Sequence, residues 1–555
     1  MSKAPFKSLI TCLIVWFFIL SIAALTIYRQ RPPAAVSSSA PPTEFASARA
    51  MQHLRVISSS PHPNGSPALV AVRDYIVKEL NNLGITTEVQ GSQSDEIAPG
   101  SQAIQNIIGR LKGTQDTGKA IMLVAHYDTV VDSYGACDDG AAVASLLETA
   151  RALKAGPGLP KDILFLITDG EENGLWGAKA FMDNPAATNV ELVLNFDARG
   201  CRGPVFMFET SDKNGWLVRE FGKASPRPFA SSLMYDIHKA LRYFWTDFTV
   251  FKRAGMSGLN FAFVDDPLRH HTPNDNFGAI DERSIQHQGS YALALTQHFG
   301  KLDKQDPKTS DAIYFDVLGS TLLVYPRSWV VPLAIGALIL FLAVAIPAWR
   351  QKRFTLRRAA LGCLALLASI LCSSFIVRFI WEIQRGLHPE YNSFTNFKVY
   401  LLGFVAIAFA VTSGVYLLFN RRVPVYDLAI GTLFVWLIIT VAVSLYVPSA
   451  SYVFIWPFLF SLGGIAIMMR YHRGVNDASL IATVICAVPA IILIGDTIYI
   501  ISLGLGLSRP TILIALTVLL GGLLVPHVLM AATPRRLFLP AIFLLLGIIC
   551  LAQSA

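Results

Sequence analysis

The chain has 555 residues, 53% of them hydrophobic, and a formal net charge of +8. This length has room for two large domains, and the apolar content is too high for a soluble protein. Only five of the 38 acidic residues lie in 327–555, where the Lys and Arg residues cluster between apolar segments. That pattern is typical of cytoplasmic loops and not of a nucleic-acid-binding protein, so we expect no nucleic-acid partner. Seven cysteines are too few and too scattered for a disulfide framework.

The N-terminus begins with an apolar run of about 20 residues behind Lys3 and Lys7. A signal peptide and an uncleaved anchor are both compatible with this pattern. We favour an anchor at 1–28, because the run is long and no clear small-x-small cleavage site precedes Arg29. The Pro- and Ser-rich segment 29–45 then reads as an extended linker.

Strand-like apolar runs alternate with helical patterns from 46 to 305, which predicts an α/β domain. The clearest runs are 120–125, 163–168 and 192–196. Residues 306–326 form a connector to the apolar second half.

The segment 327–555 is predicted to be a membrane domain of about eight helices. Its apolar stretches are approximately 328–349, 359–380, 399–419, 426–446, 451–469, 479–501, 511–531 and 537–553. The odd-numbered connections carry most of the Lys and Arg residues, so the positive-inside rule places them in the cytoplasm. With the N-terminal anchor this predicts nine spans and an exoplasmic domain between them.

Five side chains that can bind a divalent metal follow apolar runs in the first half of the chain. They are His126, Asp138, Glu172, Asp197 and His271. Strand ends are where an α/β sheet presents its chemistry, and imidazole with carboxylate suits two borderline divalent ions. Each residue alone has a structural explanation, such as a helix cap or a solvated turn. Together they predict a two-metal hydrolase.

Two further carboxylates stand where supporting residues are needed. Asp128, two residues after His126, can accept the second imidazole N–H and fix the tautomer. Glu171 directly precedes Glu172 in a turn bounded by glycines, and one glutamate can bind metal while its neighbour takes a proton from water. The pattern therefore predicts one of these glutamates as a ligand and the other as the general base, with Asp128 as a catalytic residue that orients His126.

The sequence around these positions resembles the co-catalytic two-zinc aminopeptidases, peptidase family M28. The motifs are AHYDT (125–129), DDG (138–140), EENGLWGA (171–178), NFD (195–197) and HTP (271–273). PHPNGS (61–66) and TDF (246–248) also resemble the family's membrane-bound branch, the vacuolar membrane proteases and endoplasmic-reticulum metallopeptidases. The resemblance covers about 46–320 by motif, and the remainder by architecture alone.

This resemblance implies a mixed central sheet flanked by helices, of the zinc-aminopeptidase or phosphorylase-hydrolase type, and two zinc ions per chain. It implies that His126 and Asp197 hold one zinc, that Glu172 and His271 hold the other, and that Asp138 bridges them. The peptide bond at 138–139 is expected to be cis. Relatives in the membrane branch often have Glu where this chain has Asp197, and either residue binds zinc.

The resemblance also implies an activity: a membrane-anchored aminopeptidase that hydrolyses peptides with a zinc-activated water and Glu171 as general base. Its partners would be a peptide substrate and the lipid bilayer. Glu209 and Asp247 are acidic candidates for binding the substrate N-terminus. A glutaminyl-cyclase-like transferase with one zinc is the alternative on the same fold, and the complete two-metal set disfavours it.

A transporter or receptor-like membrane protein with an accessory peptidase-like domain is a second alternative. Asp496 is the one acid deep within a predicted span, and such residues are often functional. A hydrogen bond between packed helices explains it equally well. The physiological substrate, the role of the bundle and the oligomeric state stay open.

Cys137 precedes Asp138 and Cys201 follows Asp197 by four residues, so both cysteines are expected beside the metal centre. A disulfide is one possibility in an oxidising compartment; we favour two unpaired buried thiols. Asn64 begins the one glycosylation sequon of the exoplasmic part. This scarcity favours a bacterial inner membrane with a periplasmic catalytic domain over a vacuolar or reticular membrane.

Overall fold

The computed structural model describes residues 9–92, 103–241, 245–303, 307–470, 477–524, 527, 529 and 538–554. The chain divides into two compact units. One is Gln30–Pro326, and the other combines Met1–Arg29 with Arg327–Ala555. The first unit therefore contains the segments predicted as linker, peptidase domain and connector.

A seven-stranded mixed sheet forms the centre of the first unit. Its strands are β1 (Thr86–Ser92), β2 (Ile104–Leu111), β3 (Ala120–His126), β4 (Asp162–Thr168), β5 (Val190–Ala198), β6 (Arg202–Thr210) and β7 (Gly258–Asp265). The spatial order is β1-β2-β4-β3-β5-β7-β6. The four central strands β4, β3, β5 and β7 run parallel, and the outer pairings are antiparallel. The predicted α/β class with a mixed central sheet is confirmed.

Helices cover both faces of this sheet. They are α2 (Ser47–Ile57), α3 (Pro67–Asn82), α4 (Ala141–Ala155), α5 (Trp176–Phe181), α6 (Gly215–Ala224), α7 (Ser232–Leu241), α8 (Asp247–Arg253) and α9 (Glu282–Phe299), with α1 (Leu9–Arg29) in the other unit. Alternate residues of β3 enter two different hydrophobic clusters, Ile121 and Leu123 in one and Met122 and Val124 in the other. Burial on both faces explains why β3 is apolar throughout.

The segment predicted as an extended linker is bound to the first unit. Arg49 donates to the carbonyl oxygens of Ser38 at 2.8 Å and Glu44 at 2.7 Å. Arg151 donates to the carbonyl oxygen of Pro42 at 2.6 Å. Both arginines also pair with the buried carboxylate of Glu148, at 2.7 and 2.6 Å. The chain between 38 and 44 is thus held by charge-assisted hydrogen bonds.

The predicted connector contains a two-stranded antiparallel hairpin, β8 (Ala312–Val317) and β9 (Thr321–Pro326). A buried carboxylate closes it: Asp316 accepts the backbone N–H groups of Gly319 at 2.8 Å and Ala230 at 3.3 Å. The sequence predicted a connector at 306–326 and did not indicate this hairpin.

The second unit consists of helices. Beyond α1 they are α10 (Val330–Arg350), α11 (Leu356–Leu387), α12 (Phe397–Phe419), α13 (Val425–Tyr446), α14 (Ser451–Arg470), α15 (Asp477–Leu505), α16 (Pro510–Leu523) and α17 (Phe538–Ser554). Each predicted apolar stretch overlaps one of these helices within the described residues. The second unit is therefore the helical membrane domain of a multi-pass membrane protein.

Six helices in the described part of the chain are long and apolar enough to cross a membrane. Three shorter apolar segments, Ile14–Arg29, Pro510–Leu523 and Leu539–Gln553, accompany them. A total of nine spans therefore stays a prediction. Some basic residues that indicate the orientation, Arg473 among them, lie outside the described residues. Asp496 lies buried on α15.

Candidate metal centre

The central strands bring three of the predicted ligand segments to one edge of the sheet. β3 ends at His126, which lies opposite Thr168 at the end of the parallel β4. The turn after β4 carries Glu171 and Glu172. Asp197 lies at the end of β5, the other parallel neighbour of β3. The carboxyl ends of parallel strands share an edge, so these side chains converge.

Asp138 lies between two imidazoles. It belongs to the short turn Ala136–Gly140 that precedes α4. Its Oδ1 is 3.1 Å from Nε2 of His126, and its Oδ2 is 3.2 Å from Nε2 of His271. Each oxygen therefore faces a different histidine, as a carboxylate bridging two cations requires. The Asp138–Asp139 peptide bond is cis, which confirms that expectation.

The remaining predicted ligands adjoin this carboxylate. Glu172 Oε2 is 3.0 Å from Nε2 of His271. Ligand atoms of His126, Asp138 and Glu172 lie within 4.8 Å of one another, and so do those of His126, Asp139 and Asp197. All five predicted ligands are thus in one cluster. The division of these ligands between two ions stays a prediction.

Asp128 has more contacts than the sequence predicted. Nδ1 of His126 is 3.1 Å from the backbone oxygen of Asp128 and 3.5 Å from its Oδ1. The carboxylate accepts the backbone N–H groups of Glu171 at 3.1 Å and Glu172 at 3.2 Å. The backbone of Asp128 thus orients the imidazole, and its carboxylate also holds the two-glutamate turn.

The electrostatics of the cluster fit divalent cations. Burial raises the pKa of Glu171 well above its usual range, and the charges of Asp197 and Asp247 raise it further. Burial and the charge of Asp138 raise the pKa of Asp197 to about 8. For Asp138 burial acts in the same direction, but the neighbouring histidines hold its pKa well below the usual range. Excess buried carboxylate of this kind is compensated by metal ions in proteins.

Buried oxygens without hydrogen-bond partners, and the types of ligand atom present, also indicate a site for divalent cations. Oδ1 of Asp139 and Oδ1 of Asp247 are buried, and no described residue hydrogen-bonds either atom. Two imidazoles and several carboxylates suit zinc, which binds nitrogen and oxygen donors. The residues present therefore fit divalent metal ions such as zinc.

Sequence reasoning missed three residues of the cluster, His270, Asp139 and Asp275. His270 Nε2 is 3.1 Å from Oδ2 of Asp138, and its ring stacks on that of His271 with centroids 3.7 Å apart. Consecutive side chains usually diverge, but His271 has φ of +58°, and both rings face the same carboxylate. The His-His pair was the available signal for His270.

The two acids considered for binding a substrate N-terminus differ. Glu209 is already neutralised, because its carboxylate oxygens lie 3.1 Å from Lys252 Nζ and 3.4 Å from His238 Nε2. Asp247 is buried and hydrogen-bonds Thr168 through Oδ2 alone. The structure therefore leaves Asp247 as the better candidate.

The two motifs outside the ligands both contact the site. His62 donates its backbone N–H to Thr129 Oγ1 at 3.1 Å, next to Asp128. Asn64 Nδ2 donates to Asp169 Oδ1 at 2.8 Å. The sequon nitrogen that would carry a glycan is thus engaged inside the fold. In the second motif, Asp247 bonds Thr168 at the end of β4.

Cys137 and Cys201 are joined by a disulfide. The preferred interpretation as two unpaired thiols is therefore wrong. Their placement was as expected, because Cys137 directly precedes Asp138 and Cys201 is the last residue of the turn between β5 and β6. The bond links two ligand-bearing segments that are 64 residues apart in sequence.

Comparisons with known proteins identify a matching peptidase family and similar membrane proteases. Residues 106–296 match the family described as Peptidase family M28. The chain is 28% identical over 412 residues to a vacuolar membrane protease of Yarrowia lipolytica, covering 69% of this chain and 41% of the relative. It is 31% identical over 282 residues to a vacuolar membrane protease of Candida tropicalis, covering 48% of this chain and 30% of the relative. The chain thus spans well under half the length of these curated relatives.

Solved structures are also similar. A zinc aminopeptidase from Bacillus subtilis aligns with a TM-score of 0.38 and 16% identity, covering 48% of this chain and 97% of that one. A glutaminyl cyclase of Porphyromonas gingivalis aligns with a TM-score of 0.38 and 20% identity, covering 45% and 96%. From the family match and the relatives we conclude that the chain carries a peptidase family M28 domain and resembles the vacuolar membrane proteases.

Proposed function

We propose that the chain is a membrane-anchored zinc aminopeptidase with two zinc ions per chain. The observation that carries the proposal is the Asp138 carboxylate, which presents one oxygen to His126 and the other to His271. A carboxylate placed in this way suits a bridging ligand. Asp197 would complete the site on the His126 side, and Glu172 would complete it on the His271 side.

When bound, the two ions would lower the pKa of a water molecule and polarise the scissile carbonyl. The protein's own contribution is the handling of protons. Glu171 lies directly before Glu172, and burial raises its pKa, which makes its carboxylate a stronger base. Asp128 holds its backbone. Glu171 would take the proton of the attacking water and return it to the departing amine.

The preference for a free N-terminus would come from Asp247. One of its oxygens has no hydrogen-bond partner among the described residues, and its charge acts on Glu171. A substrate ammonium group would compensate this buried charge. A blocked N-terminus would leave it uncompensated, which favours an aminopeptidase over an endopeptidase.

An exoplasmic catalytic domain is supported by two separate features. The Cys137–Cys201 disulfide belongs in an oxidising compartment, and the basic loops of the bundle favour the cytoplasm. The relatives are named vacuolar membrane proteases and come from fungi. They favour a vacuolar membrane and lend no support to the bacterial inner membrane that the scarce sequons suggested.

Purification of the full chain in detergent, followed by zinc analysis and an aminoacyl-chromogenic substrate panel, tests the proposal. We expect two zinc ions per chain and hydrolysis of free aminoacyl substrates but not of their N-acetylated forms. Cyclisation of an N-terminal glutaminyl peptide with one zinc per chain would instead support the transferase. Zinc-free protein without hydrolysis would favour an accessory domain on a transporter or receptor.

A further inference from the structure

Asp275 is completely buried and lies beside the proposed bridging residue. Its Oδ1 accepts the backbone N–H of Cys137 at 2.6 Å, and its Oδ2 accepts the backbone N–H of Asp138 at 3.1 Å. The two oxygens therefore accept hydrogen bonds from two consecutive backbone amides. The second amide belongs to Asp138, whose side chain faces His126 and His271. In the described part of the chain the Asp275 carboxylate forms no hydrogen bond with a proposed ligand side chain, so it acts on the site through the backbone.

The same residue is fixed to the loop that carries His271. The backbone N–H of Asp275 donates to the carbonyl oxygen of Thr272 at 3.0 Å, and its own carbonyl accepts from Ala136 at 3.5 Å. Asp275 thus joins the Asp138 turn to the His271 loop, across 137 residues of sequence. These two segments carry Asp138, the proposed bridge, and His271, a proposed ligand of the second ion; the other proposed ligand, Glu172, lies in the turn after β4.

The charge of Asp275 is costly where it lies. Burial and the charge of Asp138 together raise its pKa to about 7. Two charge-assisted hydrogen bonds from backbone amides offset part of this cost. An uncharged residue would avoid the repulsion but would lose one of the two acceptors, because an amide nitrogen cannot accept from a backbone N–H.

We propose that Asp275 is a positioning residue that sets the distance between the Asp138 carboxylate and His271, and with it the affinity for the second zinc. The proposal rests on the zinc centre of the proposed function. It assigns no contact with substrate to Asp275. The hydrogen-bonded carboxylate instead fixes the ligand-bearing backbone, which is how outer residues tune metal sites.

The test compares Asp275→Asn with Asp316→Asn in the full chain. Asp316 is a matched control, because it is also buried and also clamps two backbone amides, in the β8–β9 hairpin. Zinc bound per chain is measured at free-zinc concentrations set by a competing chelator. Thermal unfolding in EDTA reports the stability of each variant without metal.

We expect Asp275→Asn to bind one zinc roughly 10- to 100-fold more weakly than wild type. Asp316→Asn should lose stability and keep both affinities. Unchanged zinc affinity in Asp275→Asn, or an equal loss in Asp316→Asn, would overturn the positioning role. Wild-type protein that binds no zinc would instead refute the zinc centre itself, and the positioning role with it.

A second variant covers failure of Asp275→Asn to fold. Asp275→Glu keeps the charge and both acceptor oxygens but displaces them by one methylene. The same weakening of one zinc is expected for it. Wild-type affinity in a folded Asp275→Glu protein would count against the proposal.

Discussion

The carboxylate of Asp128 accepts the backbone N–H of Glu171 at 3.1 Å, so the proposed base is held by the same residue whose backbone orients His126. This contact couples the ends of β3 and β4. Asp128 therefore organises the site through hydrogen bonds to the backbone of the glutamate turn. The His-x-Asp spacing had indicated only a contact with the imidazole of His126.

We expect Asp128→Asn to lower kcat by roughly 10- to 100-fold while both zinc ions are retained, because an outer-sphere contact is weakened and no ligand is removed. An amide presents a donor to one of the two backbone N–H groups that the carboxylate accepts. Steady-state kinetics and zinc analysis check this. Asp132→Asn, an exposed acid of the same loop, is the control and should match wild type.

Glu171→Gln should keep both zinc ions and the fold but lower kcat by about two to four orders of magnitude, the usual cost of losing a general base. The neighbouring Glu172→Gln is the matched control and should lose zinc, since Glu172 approaches His271 at 3.0 Å. Retention of more than roughly a tenth of wild-type activity by Glu171→Gln would contradict its assignment as base.

Cys137 and Cys201 should resist alkylation in unreduced, denatured protein, because their sulfur atoms are bonded to each other. Mass spectrometry after reduction should then show both labelled. Cys363, Cys372, Cys486 and Cys550 are unpaired and should react without reduction, which provides an internal control. Quantitative labelling of Cys137 and Cys201 before reduction would exclude the disulfide.

The membrane orientation can be tested by cysteine labelling in intact cells or spheroplasts. Ser39 and Gln351 are both exposed. In sequence Gln351 directly follows the first predicted bundle span, and the predicted topology places Ser39 on the other side of the membrane. A cysteine at Ser39 should react with a membrane-impermeant reagent, and one at Gln351 should not, because Lys and Arg near span ends stay in the cytoplasm. The converse labelling pattern would place the metal centre in the cytoplasm.

His287 should make the first unit less stable in acid. Its Nδ1 accepts the Val205 N–H and its Nε2 donates to the carbonyl oxygen of Arg227, both at 3.0 Å, so the ring is neutral. Burial, with a smaller contribution from the charge of Arg227, lowers the pKa of His287 to about 3.

A depressed pKa means that the unfolded chain takes up the proton first. The contribution of the neutral His287 ring to the free energy of unfolding is complete above about pH 6.5. It declines below that pH, by about 2 kcal/mol between pH 7 and 5. Thermal unfolding of EDTA-treated wild type and His287→Gln at both pH values checks this. The variant should be less stable at pH 7 but less sensitive to pH. Parallel pH dependence in the two proteins would show that His287 does not contribute.

Features that depend on short segments could be predicted from the amino-acid sequence. Apolar runs that end in His126 or Asp197 indicate strands with polar termini, because a strand buried on both faces must be apolar until it leaves the core. Adjacent Glu171 and Glu172 suggested a base beside a ligand for a similarly local reason. The apolar second half follows from composition alone, since a bilayer requires long uninterrupted apolar helices.

Contacts between distant segments could not be predicted in this way, because they depend on how the chain folds. Asp275 meets Asp138 across 137 residues, and Cys201 meets Cys137 across 64. The placement of β4 between β2 and β3, which brings Glu171 to Asp128, is likewise not written in any local pattern. Side-chain type shows which bonds a residue is able to form. Which partner it meets depends on strand order and loop packing, which the whole chain sets together.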